Sequence, residues 1–163
     1  MFETDNIDRR IVELLLEDGR MPAAVIARRI GGGLTERVVR YRIERLINEK
    51  VIQIKPIVNA ESFDLNTRAD VVLEVETDSI MDVARRVAEY EQVTYVACSI
   101  GETDVSVQLV GRDTGEIYRF VTEVIGKLPG VRKTTTSIVP IVIKDVYQWK
   151  IPAELIQAIK DQK

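Results

Sequence analysis

The chain has 163 residues, of which 45% are hydrophobic and 30% are charged, as in a globular protein of one domain or two small ones. It contains no histidine and a single cysteine, Cys98, which argues against a zinc site and against histidine-based catalysis. No apolar run reaches the roughly 18 residues needed to cross a bilayer, and the acidic N-terminus lacks the pattern of a secretion signal. We therefore expect a cytoplasmic protein that is not an enzyme and needs no metal or cofactor.

The net charge of −3 is unevenly distributed along the chain. Residues 1–19 carry six acidic and two basic side chains, whereas residues 20–45 carry seven arginines and two glutamates. Arginine presents a planar fork of donors that fits phosphates and guanine edges. The second stretch therefore indicates a nucleic-acid-binding surface, with an ordinary solvated helix surface as the alternative.

The N-terminal third of the sequence predicts three short helices. Apolar residues recur at helical spacing in three consecutive stretches, at residues 5–17, 22–30 and 35–49. We expect Gly19 to end the first helix in the left-handed conformation, and the glycines at 31–33 to end the second. Thr35 is placed to cap the third helix. With an extended segment following at 51–58, the pattern predicts a winged helix-turn-helix domain over residues 1–58.

The third predicted helix carries the predicted DNA-binding face. In a helix-turn-helix, the helix after the turn enters the major groove of DNA. The helical turn of about 100° per residue places Arg37, Arg40 and Tyr41 on the side away from the apolar stripe, where they can reach base edges. Arg42 and Arg45 lie nearer the flank and suit phosphates. The complete predicted DNA-binding set is Thr35, Arg37, Arg40, Tyr41, Arg42 and Arg45.

The remaining two-thirds of the chain predict a second domain. Residues 59–67 break the periodicity and predict a linker. Strand and helix patterns then follow in the order βαββαβ, with strands at residues 69–75, 93–100, 105–110 and 132–143 and helices at 78–90 and 117–125. This order predicts a ferredoxin-like domain over 68–147, so the fold class is α+β. The C-terminal extension, residues 148–163, fits a short amphipathic helix.

An antiparallel sheet with both helices on one face leaves its other face open. Several residues predicted for that face are apolar or small, and such a face has to be buried against something. We therefore expect two copies of the chain to pack sheet to sheet. A two-fold dimer also presents two DNA-reading helices to two half-sites.

In this order and spacing, the elements and several short motifs resemble the Lrp/AsnC, or feast/famine, family of transcription regulators. The resemblance covers residues 4 to about 144. The motifs that carry it are Ile7-Asp8-Arg9-Arg10-Ile11, Glu17-Asp18-Gly19-Arg20, Arg42-Ile43-Glu44-Arg45-Leu46, Val51-Ile52, Gly101-x-x-Asp104, Leu128-Pro129-Gly130-Val131 and Thr134 to Ser137. The resemblance implies sequence-specific binding of double-stranded DNA, and homodimers that assemble further to tetramers or octamers.

The resemblance also implies a small-molecule effector, which in many members is an amino acid. The residues carried over are those of one turn and of the last strand: Gly101, Glu102, Thr103, Asp104, Thr134 and Thr136. Physically, a turn offers backbone N–H groups for a carboxylate, and a nearby acid can hold an ammonium group. The alternative is that Gly101 and Asp104 only form a tight hairpin turn.

Three features depart from the family pattern. The turn at Gly31-Gly32-Gly33-Leu34 is about two residues longer than usual and flexible, Thr35-Glu36 replaces the frequent serine with a nearby proline, and the chain extends past the usual end. The long turn keeps open an alternative function, a small-molecule-binding or assembly protein of the same fold with lost or weak DNA binding. An enzyme hypothesis, based on siroheme decarboxylases of similar fold, is disfavoured because those enzymes use histidines.

Overall fold

The computed structural model describes residues 4–149 and 151–152, which separate into two compact units. The N-terminal unit contains the described residues up to Ile57 together with those from Lys144 onward, and the C-terminal unit spans Val58–Ile143. The segment from Lys144 to Gln148 therefore belongs with the N-terminal unit, whereas the sequence assigned most of it to the C-terminal domain. The amphipathic helix expected near the C-terminus lies largely outside the described residues.

The N-terminal unit contains the three predicted helices, which are α1 Asn6–Glu17, α2 Ala23–Ile30 and α3 Glu36–Asn48. A capping box starts α1, because the Asp5 carboxylate accepts the Asp8 N–H at 2.8 Å and the Asp8 carboxylate accepts the Asp5 N–H at 3.2 Å. The apolar stripes of the three helices meet in one small core made of Ile11, Leu14, Ile26, Ala27, Val39 and Leu46. Burial of these stripes is what holds three short helices together.

The two turns between the helices are built differently from each other. Gly31, Gly32 and Gly33 all have left-handed φ angles, of 76°, 65° and 77°, which only glycine adopts without strain. Gly19 does not adopt this conformation, so the expectation that it ends α1 in a left-handed turn is wrong. The Asp18 carboxylate instead accepts the Arg20 N–H at 2.8 Å and holds that turn.

The segment after α3 runs without regular hydrogen bonding. Among the described residues of the N-terminal unit there is no β-strand, so the strand expected over 51–58, and with it the wing, is not formed within this unit. Several apolar side chains of the segment, including Ile54 and Ile57, are exposed. The unit is therefore a plain three-helix domain with an extended apolar segment attached.

The C-terminal unit has the predicted βαββαβ order. Its elements are β1 Thr67–Val75, α4 Ile80–Ala88, β2 Val93–Cys98, β3 Val105–Gly111, α5 Thr114–Arg119 and β4 Val131–Val139. The strands form one antiparallel sheet in the order β2-β3-β1-β4, which confirms the ferredoxin-like prediction. A short 3₁₀ helix, Ala60–Phe63, occupies the predicted linker. No helix in the described part of the chain is both long and apolar enough to span a membrane.

The second predicted helix of this unit is α-helical only in its first half. It continues as a π-helical turn, Phe120–Val124, and a 3₁₀ turn, Ile125–Lys127. Its buried residues are Ile117, Val121 and Ile125, which are four positions apart. In a pure α-helix each such step drifts by about 40° around the axis, and a π turn compensates because it is wider. All three side chains therefore point into the core.

The last strand is shorter than predicted. β4 ends at Val139, not at Ile143, and the next residue is Pro140, which has no N–H to donate to a sheet ladder. The open face of the sheet is also more polar than expected, because alternate residues of β1 place Arg68, Asp70 and Glu74 there. Small and apolar side chains lie between these charges, among them Val72, Ala97, Ser106 and Ser137.

Candidate nucleic-acid interface and effector site

The start of α3 is fixed by local hydrogen bonds. The Thr35 hydroxyl accepts the Val38 N–H at 3.4 Å, and the preceding turn is closed by the Leu34 N–H, which donates to the Gly31 carbonyl at 3.2 Å. Thr35 is therefore the helix cap, as predicted. Its hydroxyl keeps a proton that can be donated to an acceptor on a ligand.

The outward side of α3 carries three of the predicted DNA-binding residues together. Arg37, Arg40 and Tyr41 are all exposed, and Tyr41 is 64% accessible. Arg40 forms an ion pair with Glu36 one turn earlier. The Arg37 guanidinium makes no hydrogen bond or ion pair with any residue that the structure describes. The outward face of α3 therefore has one arginine without a partner among the described residues, one arginine in an exposed ion pair, and one tyrosine.

Arg42 and Arg45, predicted to contact phosphates, have a different environment, because both are ion-paired within the protein. Arg42 Nη1 lies 2.7 Å from Asp5 Oδ2 and 2.8 Å from Asp8 Oδ1. Arg45 Nη2 lies 2.7 Å from Asp8 Oδ2. The Asp8 side chain is completely buried between them. Both arginines are therefore bound to the start of α1 and tie α3 to it.

The protonation of this cluster follows from its contacts. Burial of Asp5 favours its neutral form, but the Asp8 N–H and the Arg42 guanidinium outweigh that effect and lower the pKa of Asp5. Burial of Arg42 likewise opposes its charge, yet Asp5 and Asp8 raise the pKa of Arg42. The Asp5–Arg42 ion pair is therefore intact at neutral pH.

These ion pairs reduce the positive charge that residues 20–45 can present to a ligand. The acidic residues of α1 neutralise arginines from the basic stretch, since Glu17 also binds Arg29 at 2.6 Å. In the described part of the chain, the stretch's arginines without an ion pair are Arg20, Arg28 and Arg37. The positive surface available to a polyanion is therefore smaller than the sequence count suggested.

Sequence reasoning did not identify Asp5 and Asp8 as the partners of Arg42 and Arg45. Two acids three residues apart at the start of a helix are a capping signal, and Asp5 is a possible cap on sequence grounds. Periodicity along α3 cannot show which residues of another helix lie opposite Arg42 and Arg45.

Asp104 in the predicted effector turn has a structural role. Its carboxylate accepts the Val75 N–H at 2.7 Å, and its N–H donates to the Leu73 carbonyl at 3.0 Å. Its own carbonyl accepts the Ser99 N–H at 2.8 Å. These contacts attach the turn to the end of β1, which is the hairpin role given above as the alternative. The Arg132 guanidinium lies 3.9 Å from the same carboxylate oxygen.

The rest of the turn is open to solvent. Gly101 and Glu102 are exposed and Thr103 is half-buried. Gly101 has a φ of 151°, and a Cβ built there would meet nothing within 4 Å. The backbone N–H groups of the turn and the Glu102 carboxylate are thus accessible to a small ligand.

Sheet topology brings this turn and the start of β4 to one end of the sheet. Leu73 on β1 lies opposite both Val105, just after the turn, and Thr134 on β4. Thr136 lies two residues further from that end, opposite Val71. Both threonines share the helix-covered face of the sheet. The structure therefore groups Thr134 with the turn more closely than Thr136.

Comparison with known proteins identifies the family. The model of the AsnC-type helix-turn-helix domain matches residues 5–47, and that of the Lrp/AsnC ligand binding domain matches residues 69–148. The chain belongs to the Lrp/AsnC family of transcription regulators. An uncharacterized HTH-type transcriptional regulator of Pyrococcus abyssi is 35% identical over 143 residues, which cover 87% of this chain and 89% of the relative. The HTH-type transcriptional regulator FL11 of the same organism is 33% identical and covers 83% and 88%.

Solved Lrp/AsnC structures share the fold. Escherichia coli AsnC aligns with a TM-score of 0.80 at 16% identity, covering 90% of this chain and 99% of AsnC. A transcriptional regulator of Neisseria meningitidis, solved as a complex with L-Met, aligns with a TM-score of 0.83 at 23% identity, covering 91% and 97%. At these identities the likeness shows the fold alone.

The two Lrp/AsnC family matches contain both sets of predicted site residues. The helix-turn-helix match includes α3 with Arg37, Arg40 and Tyr41, and the ligand-binding match includes the Gly101 turn and β4. The chain is thus a transcription regulator with a helix-turn-helix domain and a domain of the Lrp/AsnC ligand-binding type. The family consists of transcription regulators and not of enzymes, which removes the siroheme decarboxylase hypothesis.

Proposed function

We propose that this regulator binds specific double-stranded DNA sites with α3 in the major groove. Arg37, Arg40 and Tyr41 contact base edges, and Thr35 donates its hydroxyl to a phosphate. The observation that carries the proposal is the exposed outward face of α3, on which Arg37 has no partner among the described residues. Arginine is the residue that most often reads guanine, through two parallel hydrogen bonds.

The two ion-paired environments on α3 predict which arginines can turn to DNA. An exposed pair such as Arg40–Glu36 is worth only about 0.3–0.5 kcal/mol, whereas a bidentate contact to guanine discriminates by about 1–3 kcal/mol. Arg40 therefore exchanges Glu36 for a base. Removing a partner from a buried pair costs about 3–5 kcal/mol, so Arg42 and Arg45 stay on Asp8.

DNA titration tests the proposal directly. Fluorescence anisotropy with DNA from the protein's own upstream region, at two salt concentrations, should show tight binding that weakens steeply with salt. For about six to ten phosphate contacts, affinity should fall about 10³–10⁵-fold between roughly 50 and 200 mM salt. Undetectable or salt-insensitive binding would instead support the assembly protein without DNA binding.

The proposal includes an effector, an amino acid or a related small metabolite, at the end of the sheet. Backbone N–H groups of the turn from Gly101 to Thr103 hold its carboxylate, with Thr134 beside them. Glu102 holds its ammonium group, because the Asp104 carboxylate is already bound to the Val75 N–H. The complex of the Neisseria regulator with L-Met supports this ligand class.

A thermal-shift screen of the twenty amino acids tests the effector. A ligand at about 100 times its Kd adds about 2.7 kcal/mol to the free energy of unfolding, so a binder raises Tm. Glu102→Gln should abolish that shift, whereas Glu123→Gln, an exposed acid on the helix after β3, should retain it. A shift that survives Glu102→Gln would place the ligand elsewhere, and no shift for any amino acid would contradict this ligand class.

Homodimerisation completes the proposal. The open face of the sheet carries Val72 and Ala97 between the charged side chains of β1, which are Arg68, Asp70 and Glu74, and Glu74 pairs there with Lys133 at 2.8 Å. Two such faces related by a two-fold axis bury each other and present two α3 helices. Light scattering should give the mass of a dimer, or of a tetramer or octamer built from dimers. A monomer would contradict this two-fold arrangement.

Because a regulator of this kind acts on DNA, the proposal includes a location in the cytoplasm.

A further inference from the structure

A β-bulge lies where β4 begins. Along most of the ladder between β1 and β4 each residue has one partner, and Glu74 lies opposite Lys133. The next residue of β1, Val75, lies opposite Val131, so Arg132 is an extra residue without a partner on β1. A bulge of this kind bends the strand and re-aims a side chain. The side chain of Arg132 is therefore free of the regular alternation along β4.

The Arg132 side chain reaches the turn that begins at Gly101. Its Nη2 atom lies 3.9 Å from Oδ2 of Asp104, the residue just before β3. Because β1 lies between β3 and β4 in the sheet, the Arg132 side chain has to cross the end of β1 to come this close. The guanidinium thus stands beside the turn that is proposed above to bind the effector.

The protein itself leaves the Arg132 guanidinium unused. A distance of 3.9 Å is too long for a hydrogen bond, and the same carboxylate oxygen already accepts the Val75 N–H at 2.7 Å. Arg132 makes no hydrogen bond to any residue that the structure describes, and 59% of its side chain is exposed. The neighbouring Lys133, in contrast, is held by Glu74 at 2.8 Å. The N–H donors of Arg132 can therefore bind a ligand at the edge of the turn.

The turn also has separate groups for the two charges that every amino acid carries. The N–H groups of Gly101, Glu102 and Thr103 donate to no acceptor in the described part of the chain. Consecutive free N–H groups suit a carboxylate, and the exposed Glu102 carboxylate suits an ammonium group. Arg132 adds a third charged group, whose planar fork of donors matches a second carboxylate.

We propose that the effector is an acidic amino acid, glutamate or aspartate, and that Arg132 binds its side-chain carboxylate. This inference rests on the effector site proposed above and narrows its ligand class. A carboxylate accepts two charge-assisted hydrogen bonds from a guanidinium. The amide of glutamine or asparagine has the same shape but places an NH₂ donor against the donors of Arg132. Arg132 therefore selects the acid over its amide.

Calorimetric titration of the full-length chain with L-glutamate, L-aspartate, L-glutamine and L-asparagine tests this selection. The parent should bind each acid about 10- to 100-fold more tightly than its amide, as expected for hydrogen bonds between charged groups. Arg132→Gln replaces the guanidinium with a neutral amide and should bring the ratio close to one by weakening the acids alone. The matched control is Arg112→Gln, which removes an exposed arginine just after β3, at the opposite end of the sheet. It should keep the parent's ratio.

The other outcomes separate this inference from the effector proposal. Equal loss of affinity for acids and amides in Arg132→Gln would show that Arg132 only holds the turn or the ligand's α-carboxylate, and would overturn the inference. An unchanged ratio in Arg132→Gln would assign the selection to another residue and would also overturn it. Tighter binding of some other amino acid would overturn the acidic class but leave the effector proposal standing. Binding of none of the twenty amino acids would contradict both.

Discussion

Two pairs of arginines on α3 are chemically identical and have opposite environments. Arg37 and Arg40 stand on the outward side, one without a partner in the described residues and the other in an exposed ion pair. Arg42 and Arg45, one turn later, are bound to the buried carboxylate of Asp8. An arginine-rich helix is therefore not uniformly a DNA-binding surface. Part of its charge holds the helix in place for the rest.

The largest expected effect comes from removing the shared anchor. Asp8→Ala leaves Arg42 and Arg45 partly buried without their common carboxylate, which should lower the free energy of unfolding by about 3–5 kcal/mol. Urea titration followed by Trp149 fluorescence measures it within the N-terminal unit. Glu44→Ala, an exposed acid on α3, should stay within about 0.5 kcal/mol of the parent. Equal losses of unfolding free energy for Asp8→Ala and Glu44→Ala would show that the ion pairs of Asp8 do not stabilise the unit.

The outward pair should affect DNA binding without affecting stability. Arg37→Ala should cost about 1–3 kcal/mol of affinity for the specific site and relax base preference at one position. Anisotropy titrations with specific and unrelated DNA measure both effects. Arg10→Ala, which removes an exposed arginine from α1, should leave the ratio of the two affinities unchanged. A parent-like affinity ratio for Arg37→Ala would remove Arg37 from the reading face.

The turn that presents α3 is the next most sensitive point. Gly32→Ala places a side chain at a φ of 65°, and an L residue in that conformation costs about 1–2 kcal/mol. A Cβ there meets no atom within 4 Å, so the loss of stability has a backbone origin alone. Gly19→Ala is the matched control, because its φ is not left-handed and its Cβ would make an ordinary 3.7 Å contact. It should be neutral or slightly stabilising in the same urea titration.

The smallest effect is a dependence of stability on acid. The pKa of Asp5 is lower in the folded protein than its usual value of about 3.9, so its contribution to stability is complete above that value. It is lost as the pH falls through the folded-state pKa. The difference in unfolding free energy between the parent and Asp5→Asn should therefore be constant at neutral pH and shrink below about pH 4. A difference that grows on acidification would have the wrong sign.

The elements of the fold could be predicted because apolar periodicity records which side of each helix or strand is buried. Details that depend on contacts between particular side chains could not be predicted. The contacts of Arg42 and Arg45 required knowing that the start of α1 lies opposite them. The π turn at Phe120–Val124 is set by packing against the core, and the conformation of Gly19 is set by the neighbouring Asp18 carboxylate. The early end of β4 at Val139, however, was readable from Pro140.

The two candidate sites were predictable to different degrees. The outward face of α3 follows from helix geometry alone, so Arg37, Arg40 and Tyr41 fall together in the structure. The effector residues came from resemblance, and the structure groups the Gly101 turn with Thr134 while giving Asp104 a hairpin contact of 2.7 Å to the Val75 N–H. Sequence patterns do not distinguish an acid that binds a ligand from one that holds a turn.

One paired measurement tests the division of labour on α3 most directly: the unfolding free energy and the DNA affinity of Arg40→Ala and Arg45→Ala, measured on the same preparations. Arg40→Ala should lose about 1–3 kcal/mol of specific DNA affinity and keep the parent's stability. Arg45→Ala should lose stability and, where folded, keep the ratio of specific to unrelated DNA affinity. The opposite result, in which Arg45→Ala weakens DNA binding at full stability while Arg40→Ala binds like the parent, would contradict it.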